Sequence, residues 1–432
     1  MGVKISGLTA KGATIADTDL VEVSQSAGAG LYTSRSVTGA NIKALVTDAN
    51  MTTSDITTND VSTAKHGFAP KAPNDTTKFL RGDATWAVPA SGGLTEFTEA
   101  ENTAAPNGTV PVNSLTPVTA TTDADVAIVP KGAGAFTLDI ADNTTAGGNK
   151  RGAKAVDLQM ERANANQVAS GEWSFIAGRN NRASANYATS LGVENLSSGI
   201  LGSFSCGYLS SATGSGSLAH GYANTASGSD GSVAMGYNNT ASGTSSIALG
   251  TQNQATGAAS VALTSNAIAN GDYSFASGFY SRVFGIQGRV VFGRVISAAG
   301  DCQQSKFFLG IRTTGNTATT VTVAGGAAST TNQVILSNDS AFRFKGTIIG
   351  KQSGSTNVAA WDVDGIIVRG ANAASTTLSL GNVTLVQNTP AWGTPTLAAD
   401  TTNGGLRVQV TGAAATNIQW TAAIETTEVI YA

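Results

Sequence analysis

Chemistry in this chain would have to run through very few side chains. It has two histidines, His66 and His220, and two cysteines, Cys206 and Cys302. No His or Asp pattern near Cys206 could activate a thiolate, so a small core residue is expected there. The cysteines lie far apart in unlike contexts, which argues against a structural disulfide. His220 occupies a position that its counterparts fill with apolar residues, so a buried, hydrogen-bonded imidazole is expected. The sharper alternative is a three-histidine ion site on a trimer axis, which needs three imidazoles at metal-ligand distance.

Paired carboxylates fare no better. Cleaving a glycan requires two of them about 5–10 Å apart across a groove. Glu172, Glu194, Asp230 and Asp272 fall at different places in the pattern described below, which reads as solvated surface charge. Asp362 and Asp364, in WDVDG, share one strand face, a single coincidence. GxGxxG, P-loop, HExxH and CxxC patterns are absent, so no cofactor and no metal are implied. The expectation is a non-enzymatic protein. Its candidate contact residues are the aromatics Trp361, Trp392, Trp420 and Tyr431 near the C-terminus. They read either as buried sandwich core or as an exposed platform for sugar stacking.

The elements that would carry these residues are dominated by one period. From Ala169 the chain runs ASGEWSFIAGRNNR, ASANYATSLGVENL, SSGILGSFSCGYLSS and onward, mostly in units of 14 residues, a solenoid signature. VFGIQGRVVFGRVI, from Val283, reads as a last degenerate turn. The five-residue cores SFIAG, ATSLG, SFSCG, SLAHG, SVAMG, SIALG, SVALT and SFASG align. Their second and fourth columns share one strand face, and the column between them is small, leaving room for close packing of another surface. Gly178, Gly192, Gly207, Gly221, Gly236, Gly250 and Gly278 close the cores and are expected to turn the chain, since glycine tolerates positive φ. Thr264 stands in that place once. Asn180-Asn181 and Asn238-Asn239 are expected to supply further bends. So thin a coil buries few apolar side chains against a backbone ordering cost of about 1–2 kcal/mol per residue, which calls for an oligomer.

Composition agrees. Of 432 residues, 12% are charged, about half the usual share, and 51 are glycine. This suits short strands and tight turns. The net charge of −3 is spread without long runs, which argues against nucleic-acid binding and a polybasic membrane patch. No stretch approaches a membrane helix and the first residues lack a signal-peptide core, so synthesis in the cytoplasm is expected and membrane insertion is not.

Outside the period, residues 1–60 read as a small α+β module, with a strand at Leu20–Val23 and a short helix after an N-cap Thr38, carrying Ile42, Leu45 and Val46. Residues 61–168 read as a β-rich shaft with linkers. In it, Asp125–Val129 and Phe136–Ile140 form a hairpin about Lys131–Ala135, and Arg81-Gly82-Asp83 is ordinary turn chemistry. Residues 169–287 form the roll. Residues 288–432 hold seven or more strand signals, the pattern of a sandwich or jelly-roll.

The S-x-A-x-G core in a 14-residue unit resembles the head domain of trimeric autotransporter adhesins, over about 169–295. That resemblance implies a left-handed parallel β-roll with three chains side by side. DLVEVSQ, KHGFAPKAPNDTTKFLRGDATWA, DVAIVPKGAGAF and NKRGAKAVDLQMERANANQVASG resemble segments of phage tail fibres and spikes. Together the resemblances imply a mainly β, elongated homotrimer that attaches a virion to a host cell. Its N-terminal module would join other tail or baseplate proteins, and its C-terminal sandwich would meet a host glycan or outer-membrane receptor. A bacterial trimeric surface adhesin, a capsular polysaccharide depolymerase and a virion structural protein without receptor contact are the alternatives.

Overall fold

The computed structural model describes residues 125–431 without a break, and before them 20–26, 32–38, 40, 75–82, 85–88, 97–102, 112–118 and 123. Two compact units divide the chain at Ala127. The first contains three antiparallel pairs: Leu20–Ser26 with Tyr32–Thr38, Phe79–Leu80 with Trp86–Ala87, and Phe97–Asn102 with Val112–Pro117. The helix expected over Ile42, Leu45 and Val46 lies outside the described residues, as does Asp83.

In the second unit the period becomes a two-faced β-solenoid of about eight turns. The five-residue strands, Phe175–Arg179 through Phe275–Phe279, pair in parallel and in register, so that each core position stacks on its counterpart one coil away. Two-residue strands, Arg182–Ala183 through Ile268–Ala269, form the opposite face. Val290–Arg294 adds a further parallel strand, the degenerate turn read from the sequence.

The expected hairpin over Asp125–Ile140 does not form. Phe136–Thr137 instead pairs in parallel with Val156–Leu158, which pairs with Phe175–Arg179. Phe136, Val156 and Phe175 thus stack in one column. Parallel stacking on an existing ladder gives this strand backbone partners along its whole length, whereas Asp125–Val129 has no strand structure.

The interior is set by the small middle column. Ala219, Ala234, Ala248, Ala262 and Ala276 on one face meet Ala212, Ala226, Ala241, Ala255 and Ala269 on the other, all fully buried. Earlier coils carry serine there, and the hydroxyls satisfy one another: Ser197 Oγ lies 2.6 Å from Ser205 Oγ, which reaches Ser190 Oγ at 3.1 Å. The space left for a partner surface in the sequence reading is therefore taken up by the roll's own second face.

A buried asparagine ladder ties the coils together. Asn239 donates through Nδ2 to Met235 O at 2.8 Å and to Gly250 O, one coil on, at 2.7 Å. Its Oδ1 accepts the backbone N–H of Asn253 at 2.9 Å. Asn181, Asn195, Asn224 and Asn253 make the same bonds to their own coil and the next. Asn180 and Asn238 are indeed bends, with φ of 56° and 53°, but their neighbours Asn181 and Asn239 are interior bonding residues.

The core-closing glycines lie inside the strands, one residue before the end, with φ of 105° to 119°. The turn is made two residues later. A Cβ on Gly236 would come within 2.1 Å of Gly250 O, so both the dihedral and the coil spacing demand glycine. Thr264 is the exception, at φ 83°. In its coil the ladder asparagine is also missing, replaced by Ala267. The two departures compensate: Thr264 Oγ1 donates to Gly278 O at 2.9 Å, the carbonyl that an asparagine at 267 would have reached.

Both ends of the ladder are plugged by buried charge. At one end Asp157 takes the inward column, paired with Ile176, and its carboxylate binds Arg151 Nε at 2.8 Å. Arg162 joins Asp139 at 2.7 Å. At the other end Arg289 is fully buried. It contacts Glu428, Ser305 Oγ at 3.0 Å and Val283 O at 3.1 Å.

Glu428 belongs to the C-terminal sandwich, which grows from the same sheet. Val290–Arg294 pairs antiparallel with Cys302–Lys306, and the order continues through Ile418–Ile430, Ser340–Gln352, Val358–Arg369 and Thr377–Asn388. A second sheet, from Ala318–Thr320, Val334–Ile335, Gly393–Asp400 and Gly405–Thr411, closes over it. Phe307, Phe342, Phe344, Ile348, Trp361 and Trp420 pack against Val334, Leu406, Val408 and Val410. The loop joining roll to sandwich is held by Asp301, whose carboxylate accepts N–H groups of Ala298 at 2.8 Å, Ser297 at 2.6 Å and Ile296 at 2.9 Å.

Two predictions follow from these bonds. If Thr264 and Ala267 compensate each other, T264G/A267N is more stable than the sum of T264G and A267N allows, with a coupling of about 1–2 kcal/mol in chemical denaturation. Additive effects would refute the shared role. The backbone donors of Ala298, Ser297 and Ile296 hold the Asp301 carboxyl at a pKa of about 2. Because the folded value is depressed, the stabilisation is complete above the ordinary carboxylate range and lost as pH falls from about 4 toward 2. The difference in melting temperature between the wild type and D301A therefore shrinks over that window. A constant difference would show that the carboxylate charge is not what holds the loop.

Candidate interaction surfaces

The second and fourth core columns share one strand face, and that face points outward. Phe175, Phe204, Leu218, Val233, Ile247, Val261 and Phe275 form one row. Leu191, Met235, Leu249 and Leu263 form the other, and all are half-buried. The result is an apolar stripe along the length of the roll. It continues past the last coil as Phe292 and Phe308, which are 48% and 57% exposed.

This orientation corrects two expectations. His220 is exposed on the outer face, not buried, because its column faces away from an interior that is lined with alanine in this and the neighbouring coils. Cys206 is half-exposed on the same face, one coil earlier, and is not a core residue. Both cysteines are free. Among the described residues no three His, Cys, Asp or Glu side chains cluster at metal-binding distance within one chain.

A second exposed feature runs along one edge. Tyr208, Tyr222 and Tyr237 occupy the position after the glycine in consecutive coils. Their rings stack at centroid distances of 5.4 Å and 5.1 Å, set by the spacing of the ladder. The sequence reading passed over this row, although the GY pairs at 15-residue and 14-residue intervals were its signal.

The carboxylates stay scattered. Glu172, Asp230 and Asp272 are exposed and Glu194 is half-buried, each in a different coil. Asp362 and Asp364 do share the outer face of the sandwich, but Asp364 is held by Arg343 at 3.0 Å. Lys306 and Lys345 flank Glu425 on the same face, at 2.8 Å and 3.7 Å, and keep its carboxyl below the usual range. These are cross-strand ion pairs within the sheet.

The three C-terminal tryptophans are core. Trp361 and Trp420 are fully buried with ring centroids 6.0 Å apart, and Trp392 meets Trp420 edge-on at 5.5 Å. Trp420 Nε1 donates to Thr313 Oγ1 at 2.9 Å. No ligand reaches these rings from solvent, which corrects their candidacy as contact aromatics and leaves Tyr431, 86% exposed, as the one open to solvent.

No curated protein matches this chain. The YadA head domain repeat matches it twice, over residues 212–239 and 241–263. Those residues are the coils with the most regular alanine interior and ladder asparagines. The centre of the β-solenoid is thus similar to the YadA head domain repeat of trimeric autotransporter adhesin heads, a likeness that points to an adhesin-like attachment role.

Proposed function

We propose that the chain is a homotrimeric, non-enzymatic attachment protein displayed outside the cell that makes it, with the roll as a rigid spacer and the sandwich as the contacting end. The observation that carries this reading is the apolar outer stripe on a roll of head repeats. The interior alone buries alanine methyl groups, each worth about 0.8 kcal/mol, against a backbone ordering cost of about 1–2 kcal/mol per residue. Covering the stripe with two further copies supplies the missing burial, and a parallel in-register trimer does so with every coil equivalent.

The surface-adhesin form of this reading is favoured, because the matched repeat is that of an adhesin head. The phage tail-fibre form uses the same architecture, but it rests only on short resembling segments before the roll. One of them, NKRGAKAVDLQMERANANQVASG, serves here as the plug around Asp157.

The purified chain is expected to run at about 130 kDa in solution, three times the 43.3 kDa chain. Leu249→Glu places a charge on the stripe without touching the interior and is expected to lower that mass toward the monomer. Beads coated with the trimer should adhere to target cells, and the variant should adhere less by the loss of avidity. A wild type that is a stable folded monomer would remove the basis of the proposal.

A further inference from the structure

The sandwich carries a polar cavity of about 540 Å³ on its outer face, where three strands end together. Its floor is a cross-strand row: Arg312 lies opposite Gln419, which lies opposite Lys351. Behind that row sit Thr421 and Ile349, also cross-strand partners. The rim is the Gln352–Gly354 turn with Asn417.

The charge balance here is one-sided. Two cations flank a glutamine at strand spacing, and none of the nine lining residues is acidic. The arginine guanidinium and the side chains of Gln419, Thr421 and Asn417 make no hydrogen bond to another described residue. Elsewhere on this face each cation within reach of a carboxylate is paired with it, as in Lys306–Glu425–Lys345 and Arg343–Asp364. Lys351 instead donates to the backbone carbonyls of Gln352, at 3.2 Å, and Ser355.

We infer that this cavity is a subsite for a carboxylated sugar, a uronate unit of an acidic glycan. A guanidinium matches a carboxylate with two parallel hydrogen bonds. The side-chain amides and the threonine hydroxyl match sugar hydroxyls, which need both donors and acceptors. Ile349, 48% exposed, offers an apolar patch to the C–H face of the ring. The last roll strand covers only Cys302–Lys306, and Arg312 lies six residues further on, about 20 Å along the strand.

This inference rests on the attachment reading for its biological sense, but its test stands apart. Binding of tetragalacturonate and of its methyl ester to the full chain is measured by calorimetry, with inorganic sulfate as competitor. The wild type is expected to bind the acid and to prefer it over the ester by about tenfold or more. R312Q, at an exposed position, is expected to lose about tenfold in affinity while melting at the wild-type temperature. K351Q is expected to weaken binding in the same direction. Equal binding of acid and ester, undiminished binding by R312Q, displacement by sulfate at equal charge concentration, or no binding at millimolar sugar would each overturn it. Cells still bound by R312Q/K351Q after uronate binding is lost would leave the attachment reading standing without this subsite. Uronate binding without adhesion to any cell would do the reverse.

Discussion

The width of the roll interior governs the rest of this molecule. Two short faces approach so closely that their inward positions accept alanine or serine and little else. Apolar bulk that a wider solenoid would place inside is therefore displaced outward, onto the strand face that carries Leu218, Met235 and Leu249. Polar backbone at the turns cannot be hidden behind side chains and must be bonded across coils, which is the work of the asparagine ladder. The spacing between coils, together with the positive φ, forces glycine where one coil's Cα meets the next coil's carbonyl.

A stack of near-identical coils has a register problem. Slipping the chain by one coil would exchange alanine for alanine and asparagine for asparagine, at small cost. The ends break that degeneracy. Asp157, in the inward column of Ile176 at the first end, and Arg289, level with the buried Ser274 at the other, are each met by one specific partner set. A slipped register would strand a buried charge, which costs several kcal/mol, far more than the lost coil contacts. Thr264 and Ala267 mark the next-to-last of the repeated coils as unlike its neighbours, and so add a further reference point.

Much of this was legible in the sequence. The period, the five-residue strands, the in-register columns and the strands of the sandwich follow from spacing and β-propensity alone. What period two cannot say is which strand face is inside. It groups Phe204 with Cys206 and Leu218 with His220, but the choice of face depends on the distance to the opposite wall, a tertiary quantity. Hence His220 and Cys206 were expected in the core. The hairpin expected at Phe136 fails because its partner, Val156, stands 20 residues on, and Val156 pairs in turn with Phe175, 19 residues further, both steps outside the 14-residue period. The buried Trp361–Trp420–Trp392 cluster and the Arg312–Gln419–Lys351 row depend on contacts between segments far apart in sequence, which no local pattern reports.

In the proposed attachment role, roll and sandwich would divide the work by the kind of surface each can offer. A face that repeats every coil presents the same residues at every level. It suits contact with copies of itself, and it cannot single out one ligand orientation. The sandwich does not repeat. Its long strands bring unrelated segments side by side, so that an arginine, a glutamine and a lysine from three places in the chain form one row. Because both share a continuous sheet, with Arg289 and Glu428 buried at the join, the position of that row relative to the roll is fixed by backbone hydrogen bonds and not by a flexible linker. Three chains aligned by the roll would therefore present three such rows at set separations, the condition under which weak sites act together.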